Sequence, residues 1–169
     1  MTFPSPALDR FCAGGRHIRL LIAGQPPDGL VLPPLDHFDR VVHLAHPGHT
    51  GPIVADPQRL PFTEALFDRA LVTSPLPANA ARAELREIWR TLAPAGLALL
   101  VIKARRPWQA TGWRREDLEP VIEDAMFELL AWEIETLPDR HHLILVGKRD
   151  GLRPAMVGRT ADSLVPAAA

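Results

Sequence analysis

The stretch that decides the fold runs from Ala55 to Lys103 and reads ADPQRLPFTEALFDRALVTSPLPANAARAELREIWRTLAPAGLALLVIK. Apolar runs at Ile53–Ala55, Phe67–Thr73 and Leu97–Ile102 predict three strands, and the last is nearly continuous, as in a strand covered on both faces. Between the second and third runs, apolar residues recur at i, i+3, i+4 and i+7 and predict one face of a helix: Leu85, Ile88, Trp89 and Leu92. The stretch therefore predicts a strand, a helix and a strand of a parallel sheet.

The same residues resemble the class I S-adenosylmethionine-dependent methyltransferases, and in particular their type 11 domain. In that family a strand ends in an Asp and is followed by a Leu-Pro-Phe turn, a strand with Phe-Asp, a Leu-Arg-Glu-Ile-x-Arg-x-Leu helix and a Pro-Gly-Gly turn. The matching residues are Asp56, Leu60-Pro61-Phe62, Phe67-Asp68, Leu85-Arg86-Glu87-Ile88, Arg90, Leu92, Pro94 and Gly96.

The resemblance covers about residues 18–148 and implies an α/β fold: a trimmed, Rossmann-like methyltransferase sandwich with a mostly parallel sheet closed by an antiparallel strand. The remaining strands are predicted at His17–Ala23, Arg40–Ala45, Trp132–Thr136 and His142–Gly147, with a helical stripe from Leu118 to Leu129. Between Ala45 and Ile53 the chain is too short and too rich in Pro and Gly for a crossover helix, which predicts a loop there.

Length and composition indicate one domain and no strong electrostatic partner. The 169 residues suit a single core, which we assign to residues 17–149, with an N-terminal arm (1–16, with a short helix near Ala7–Cys12) and a tail (150–169). A formal net charge of −1 argues against nucleic acid and membrane surfaces as partners. One cysteine, Cys12, and the lack of a secretory pattern favour the cytoplasm.

By the resemblance, Gly24 and Asp56 are the candidate cofactor-binding residues for S-adenosylmethionine. Gly24 matches the first glycine of the family's cofactor loop, and Asp56 matches the acid that holds the adenine amino group. Pro26 and Asp28 stand where the next two glycines align, Ala45 stands where the ribose-binding acid aligns, and Pro57 has no N–H for the adenine ring. Losing several hydrogen bonds of roughly 1 kcal/mol each would weaken cofactor binding about a hundredfold or more.

Both candidates have a purely structural alternative. Gly24 could serve only the exit from the first strand, and Asp56 could simply cap the turn at Pro57. No catalytic residue is indicated. A metal site at His37, His43, His46 and His49 is disfavoured, because the segment is broken by Pro and Gly and no cysteine or acid completes a ligand set. The loop from Arg105 to Arg115, with two Trp and four Arg, could bind an anionic acceptor or pack over the sheet edge.

Two functions of different class follow. The first is an S-adenosylmethionine-dependent methyltransferase with a weakened cofactor site and an unknown acceptor. The second is a non-catalytic scaffold that acts as a dimer, a homo-oligomer or a partner of another protein through an apolar sheet face exposed by the missing crossover helix.

Overall fold

The computed structural model describes residues 5–14, 17–32, 34–48, 51, 53–73 and 75–151. Within these ranges the elements in chain order are α1 (Pro6–Cys12), β1 (Ile18–Ala23), β2 (Phe38–Ala45), β3 (Ile53–Val54), β4 (Phe67–Val72), α2 (Ala81–Thr91), β5 (Leu92–Lys103), α3 (Arg115–Asp124), β6 (Phe127–Leu137) and β7 (Asp139–Lys148).

All seven strands form one sheet, in the order β3-β2-β1-β4-β5-β7-β6. Strands β1 to β5 run parallel, and Leu21 of β1 lies between Val42 of β2 and Ala70 of β4. Strand β7 runs antiparallel to both of its neighbours, β5 and β6. The predicted fold class, a mostly parallel α/β sheet closed by an antiparallel strand, is confirmed.

Each face of the sheet carries its own hydrophobic cluster. Helices α2 and α3 cover one face, through residues such as Leu85, Ile88, Leu118 and Ile122. Helix α1 covers the other face through Ala7, Leu8 and Phe11. The central strands therefore contain continuous apolar runs, because consecutive residues point into different clusters, as Leu20, Leu21 and Ile22 of β1 do.

Helix α1 is attached to the far edge of the sheet by hydrogen bonds as well as by packing. Ser5 caps the helix by accepting the Leu8 N–H at 3.2 Å, and its hydroxyl donates to Glu133 Oε2 of β6 at 2.7 Å. The Ala7 N–H donates to Glu133 Oε1 at 2.8 Å. The short helix expected near Ala7–Cys12 is thus present, as Pro6–Cys12. Residues 1–4, 15–16 and 152–169 of the predicted arm and tail lie outside the described residues.

On the β1–β2–β3 side, the described residues of the connections form loops, where parallel strands are usually connected by helices. Neither residues 24–32 and 34–37 nor residues 46–48 and 51 contain a helical residue. Leu30, Leu32 and Leu35 of the first connection pack partly against the α1 cluster. The connection predicted to be a loop is one throughout its described residues, and the sheet is covered more thinly here than on the α2 side.

The helical stripe predicted from Leu118 to Leu129 extends too far. Helix α3 ends at Asp124, Met126 adopts a left-handed φ of +69°, and Leu129 belongs to β6. Strand β6 pairs with β7 along nearly its whole length, from Phe127 to Leu137. These long-range strand hydrogen bonds override a local pattern that suits either structure.

The residues that carry the methyltransferase-like motif hold one loop against helix α2. Arg90 donates to the Phe62 carbonyl at 2.8 Å and to the Leu60 carbonyl at 3.2 Å, while Glu87 accepts the Leu60 N–H at 2.9 Å. Glu87 and Arg90 also form an ion pair at 2.8 Å. The hydrogen bond from Arg90 lowers the pKa of Glu87 below its ordinary value. The motif therefore secures the Leu-Pro-Phe turn.

Candidate ligand sites at the carboxyl edge of the sheet

The sheet reverses its winding direction between β1 and β4. From β1 the chain moves outward to β2 and β3, and from β4 it moves outward the other way to β5. In open parallel sheets, ligands bind beyond the carboxyl ends of the strands at such a switch point. Gly24, His46 and Thr73 follow the ends of β1, β2 and β4 at this edge.

Gly24 is required by the geometry of this edge. Its φ is +94°, and its N–H donates to the Leu44 carbonyl at 2.9 Å. A Cβ at this position would lie 2.8 Å from Thr73 Oγ1 and 3.2 Å from His46 Nε2, so a larger residue would be both strained and crowded. These contacts explain why a glycine occupies position 24. A role of Gly24 in binding a cofactor stays a prediction.

Asp56 lies at the same edge, two residues after Val54, the last residue of β3. Its Oδ1 accepts the Gln58 N–H at 2.9 Å, and its backbone carbonyl accepts the Arg59 N–H at 2.9 Å. The side chain thus caps the turn that begins at Pro57, in agreement with the structural alternative. Strand β2 separates the strands of Gly24 and Asp56, and a cofactor role for Asp56 also stays a prediction.

The cavity at the switch point is small. Its volume is about 120 Å³, and it is lined by Gly24, Gln25, Ala45, His46, Thr73 and Pro75. A second space, which shares His46 with it and is lined by residues such as Pro57, Leu60 and Leu76, has a volume of only about 10 Å³. Pockets that enclose a ligand of cofactor size typically measure about 300 Å³ or more.

These residues do not fit S-adenosylmethionine in the described conformation. Ala45 has no carboxylate for the ribose hydroxyls, Pro57 has no N–H for the adenine, and one oxygen of Asp56 already accepts a backbone hydrogen bond. The cavity beside Gly24 is also smaller than such a cofactor requires.

Sequence reasoning missed His46 as a residue of this edge, because it appeared only in the histidine pattern. His46 lines both the switch-point cavity and the second, smaller space. Its position directly after β2 was the available sequence clue. The other histidines diverge: His37 Nε2 lies 2.8 Å from the Cys12 carbonyl oxygen, His43 is exposed, and His49 is outside the described residues. Within the described part of the chain, no three His, Cys, Asp or Glu residues are grouped as a metal site.

A larger cleft of about 450 Å³ lies beyond the ends of β4 and β5. It adjoins the switch-point cavity, since Pro75 lines both. The walls come from the loop after β4, from the loop after β5 and from helix α3: Pro75, Leu76, Pro77, Ala78, Arg105, Ala110, Thr111, Gly112, Trp113 and Asp117.

A chain of hydrogen bonds links the loop after β4 to the loop after β5 and to strands β6 and β7. The Trp113 indole N–H donates to the Leu76 carbonyl at 2.8 Å, and Trp132 Nε1 donates to His142 Nδ1 at 3.0 Å. Because Nδ1 is thereby an acceptor, the proton of the neutral ring is on Nε2, which donates to the Trp113 carbonyl at 3.0 Å. Burial lowers the pKa of His142 below its ordinary value of 6.5, which favours this neutral form.

The Arg- and Trp-rich loop divides into a structural part and a solvent-exposed part. Trp113 is buried, whereas Trp108 is 77% exposed. Arg114 pairs with Glu116 at 3.6 Å, and Arg115 pairs with Glu119 at 3.4 Å. The packing interpretation holds for Trp113, whereas binding of an anionic acceptor stays a prediction, for which Arg105 is placed on the wall of a cleft.

Solved structures identify the fold as that of the class I methyltransferases. A putative methyltransferase from Bacillus halodurans superimposes with a TM-score of 0.65 at 13% identity, covering 83% of this chain and 96% of that one. A Burkholderia thailandensis 1,6-didemethyltoxoflavin-N1-methyltransferase, with S-adenosylhomocysteine bound, gives 0.64 at 18% identity over 86% and 77%. The cyclase SpnF gives 0.61 at 17% identity over 84% and 78%.

These similarities concern the fold, because the sequence identities are low. No family profile matches the sequence, and no curated protein sequence is similar to it. The similar structures are nevertheless named for more than one reaction, since SpnF is described as a cyclase. None of the described helices is long and apolar enough to cross a membrane.

Proposed function

We propose that this protein has the class I methyltransferase fold but does not catalyse efficient methyl transfer, and that it acts as a scaffold for contacts between protein chains. The observation that carries the proposal is the cavity of about 120 Å³ at the switch point, where a cofactor-binding relative needs room for a whole nucleoside. Ala45 and Pro57 support it, because neither provides the polar group that cofactor binding would use.

Calorimetry with S-adenosylhomocysteine tests the proposal. We expect no binding heat at about millimolar ligand, which corresponds to less than about 4 kcal/mol of binding free energy. The matched variants are Asp56→Ala, at the predicted adenine position, and Asp36→Ala, an exposed acid in the turn before β2. Micromolar binding that Asp56→Ala weakens and Asp36→Ala preserves would contradict the proposal.

That contrary result would support the second candidate, a methyltransferase with a weakened cofactor site. This candidate is favoured by one arrangement: Gly24 and Asp56 share the carboxyl edge of the sheet, and a cleft of about 450 Å³ adjoins the cavity beside Gly24. The cleft could then receive the methyl acceptor, whose identity the site does not specify.

The scaffold function needs a contact surface, and we infer that it lies on the thinly covered side of the sheet. Val31, in the connection before β2, is 60% exposed, and Val54 of β3 is 53% exposed. Exposed apolar residues beside missing helices are typical of sites that a second chain covers. We take that chain to be a second copy of the protein.

Sedimentation of the purified protein tests this surface. We expect an oligomer that the double variant Val31→Lys and Val54→Lys dissociates, because two buried charges would be left unpaired at the interface. The control is Ile134→Lys, which changes an apolar residue of similar exposure (49%) on β6 at the opposite edge of the sheet. A monomeric wild-type protein would exclude a homo-oligomer.

A further inference from the structure

The cleft between the loop after β4 and the loop after β5 has no part in the scaffold function, yet its dimensions suit a ligand. Its volume of about 450 Å³ falls within the range of about 300–1,000 Å³ that is usual for small-molecule sites. It is also a different space from the switch-point cavity, with which it shares Pro75 only.

The loop after β5 is fixed in position before any ligand arrives. The Arg105 N–H donates to the Trp113 carbonyl at 2.8 Å, and the Trp113 N–H donates to the Lys103 carbonyl at 2.9 Å, which closes the loop on itself. Gly112 has a φ of +98°, and a Cβ there would lie 3.0 Å from three backbone atoms of residues 103–105. A preformed cleft binds without the entropic loss of ordering a loop.

The floor of the cleft is apolar, and the buried Trp113 cannot rotate freely. Its indole N–H is held by the Leu76 carbonyl at 2.8 Å, and Leu76 itself is fully buried. Above these two buried side chains, the exposed rings of Pro75 and Pro77 provide the apolar surface of the cleft. A flat or apolar ligand body would therefore find a rigid surface to pack against.

Two opposite charges line the cleft without neutralising each other. Arg105 and Asp117 are both exposed, and neither forms an ion pair with any residue in the described part of the chain. Arg105 uses Nε to donate to the Gln109 carbonyl at 3.1 Å, which orients the guanidinium and leaves its two terminal nitrogens available. An acid and a base on one small cleft can recognise complementary charges on one small molecule.

We propose that this cleft binds a small amphoteric molecule of the amino-acid type with an aromatic or apolar body. Its acidic group interacts with Arg105, its amine interacts with Asp117, and its body packs against the exposed rings of Pro75 and Pro77. Because both charged side chains are exposed, each interaction is weak, and we expect a dissociation constant in the millimolar range.

Three indole probes separate these interactions: L-tryptophan carries both charges, tryptamine carries only the amine, and 3-indolepropionate carries only the acid. In titrations followed by ¹H–¹⁵N chemical shifts, the amide signals of Leu76, Ala78, Arg105 and residues 110–113 should move. L-tryptophan should bind about threefold or more tightly than either of the other probes, as expected when a second charge contributes.

Variants assign each charge. Arg105→Ala should weaken binding of L-tryptophan and 3-indolepropionate but not of tryptamine, whereas Asp117→Asn should weaken L-tryptophan and tryptamine only. The controls are Arg106→Ala and Glu116→Gln, neighbouring residues of the same charge that do not line the cleft.

The inference is overturned if no probe shifts these amides up to its solubility limit, if the three probes bind equally, or if the control variants weaken binding as much as the cleft variants. The titration with S-adenosylhomocysteine concerns the switch-point cavity, so failure of either proposal leaves the other to be judged on its own data.

Discussion

The two halves of the sheet differ in how completely they match the methyltransferase pattern. On the β4–β5 side, helix α2 and the Leu60–Phe62 turn are joined by Glu87 and Arg90, and the core beneath them is fully buried. On the β1–β3 side, the described residues of the connections contain no helix, and the cavity beside Gly24 holds about 120 Å³. The residues that reveal the fold are therefore framework residues, and they say little about ligand binding.

The test with the largest expected effect truncates one apolar side chain in each half of the sheet. Leu85→Ala, in α2, should lower the free energy of unfolding by about 2–5 kcal/mol, because Leu85 is fully buried in the cluster under α2 and α3. Leu30→Ala, in the β1–β2 connection, should lower it by about 1 kcal/mol or less, since Leu30 is only partly buried. Urea denaturation measures both, and equal losses would contradict the difference.

A second test breaks the contact between α2 and the Leu-Pro-Phe turn. Arg90→Ala should destabilise the protein by about 1.5–3 kcal/mol, because it removes charged donors from two carbonyls and leaves Glu87 unpaired. The control is Arg86→Ala on the same helix, whose exposed side chain makes longer hydrogen bonds, of 3.2 and 3.4 Å, to the Asp124 carbonyl. If Arg86→Ala costs as much, the contact of Arg90 with the Leu-Pro-Phe turn does not have the structural role assigned here.

The smallest expected effect is a pH dependence of stability that comes from His142, which hydrogen-bonds to Trp113 beside the cleft. The folded-state pKa of His142 lies below 6.5, chiefly because the ring is buried, so the unfolded chain takes up the proton more readily. Stability should therefore be fully present above about pH 6.5 and fall as the pH decreases through that value toward the lower folded pKa, by at most about 1.4 kcal/mol per pH unit.

Urea denaturation between about pH 8 and 5.5 measures this slope, because that pH range covers the ordinary pKa of a histidine. His142→Asn should abolish the slope, and His43→Gln, which alters an exposed histidine of β2, should leave it unchanged. A slope that survives in His142→Asn would assign the pH dependence to another group.

The sequence predicted the sheet well where burial on both faces imposes a long apolar run. Strands β1, β2, β4 and β5 lie where these runs occur, with ends that differ by a few residues. It predicted α3 less well, since the pattern from Leu118 to Leu129 suited a helix until pairing between β6 and β7 took Phe127 and Leu129 into a strand. A local sequence pattern contains no information about pairing with a strand that is distant in sequence.

At the candidate site, the sequence by itself determined which polar groups are missing: a carboxylate at Ala45 and an N–H at Pro57 follow from the residue types alone. Only the tertiary structure decided how much room remains beside Gly24, that His46 lines that space, and that Arg105 and Asp117 share one cleft. The physical reason is that residue chemistry is local, whereas the volume of a cavity and the neighbours of a charge depend on segments that meet only after the chain has folded.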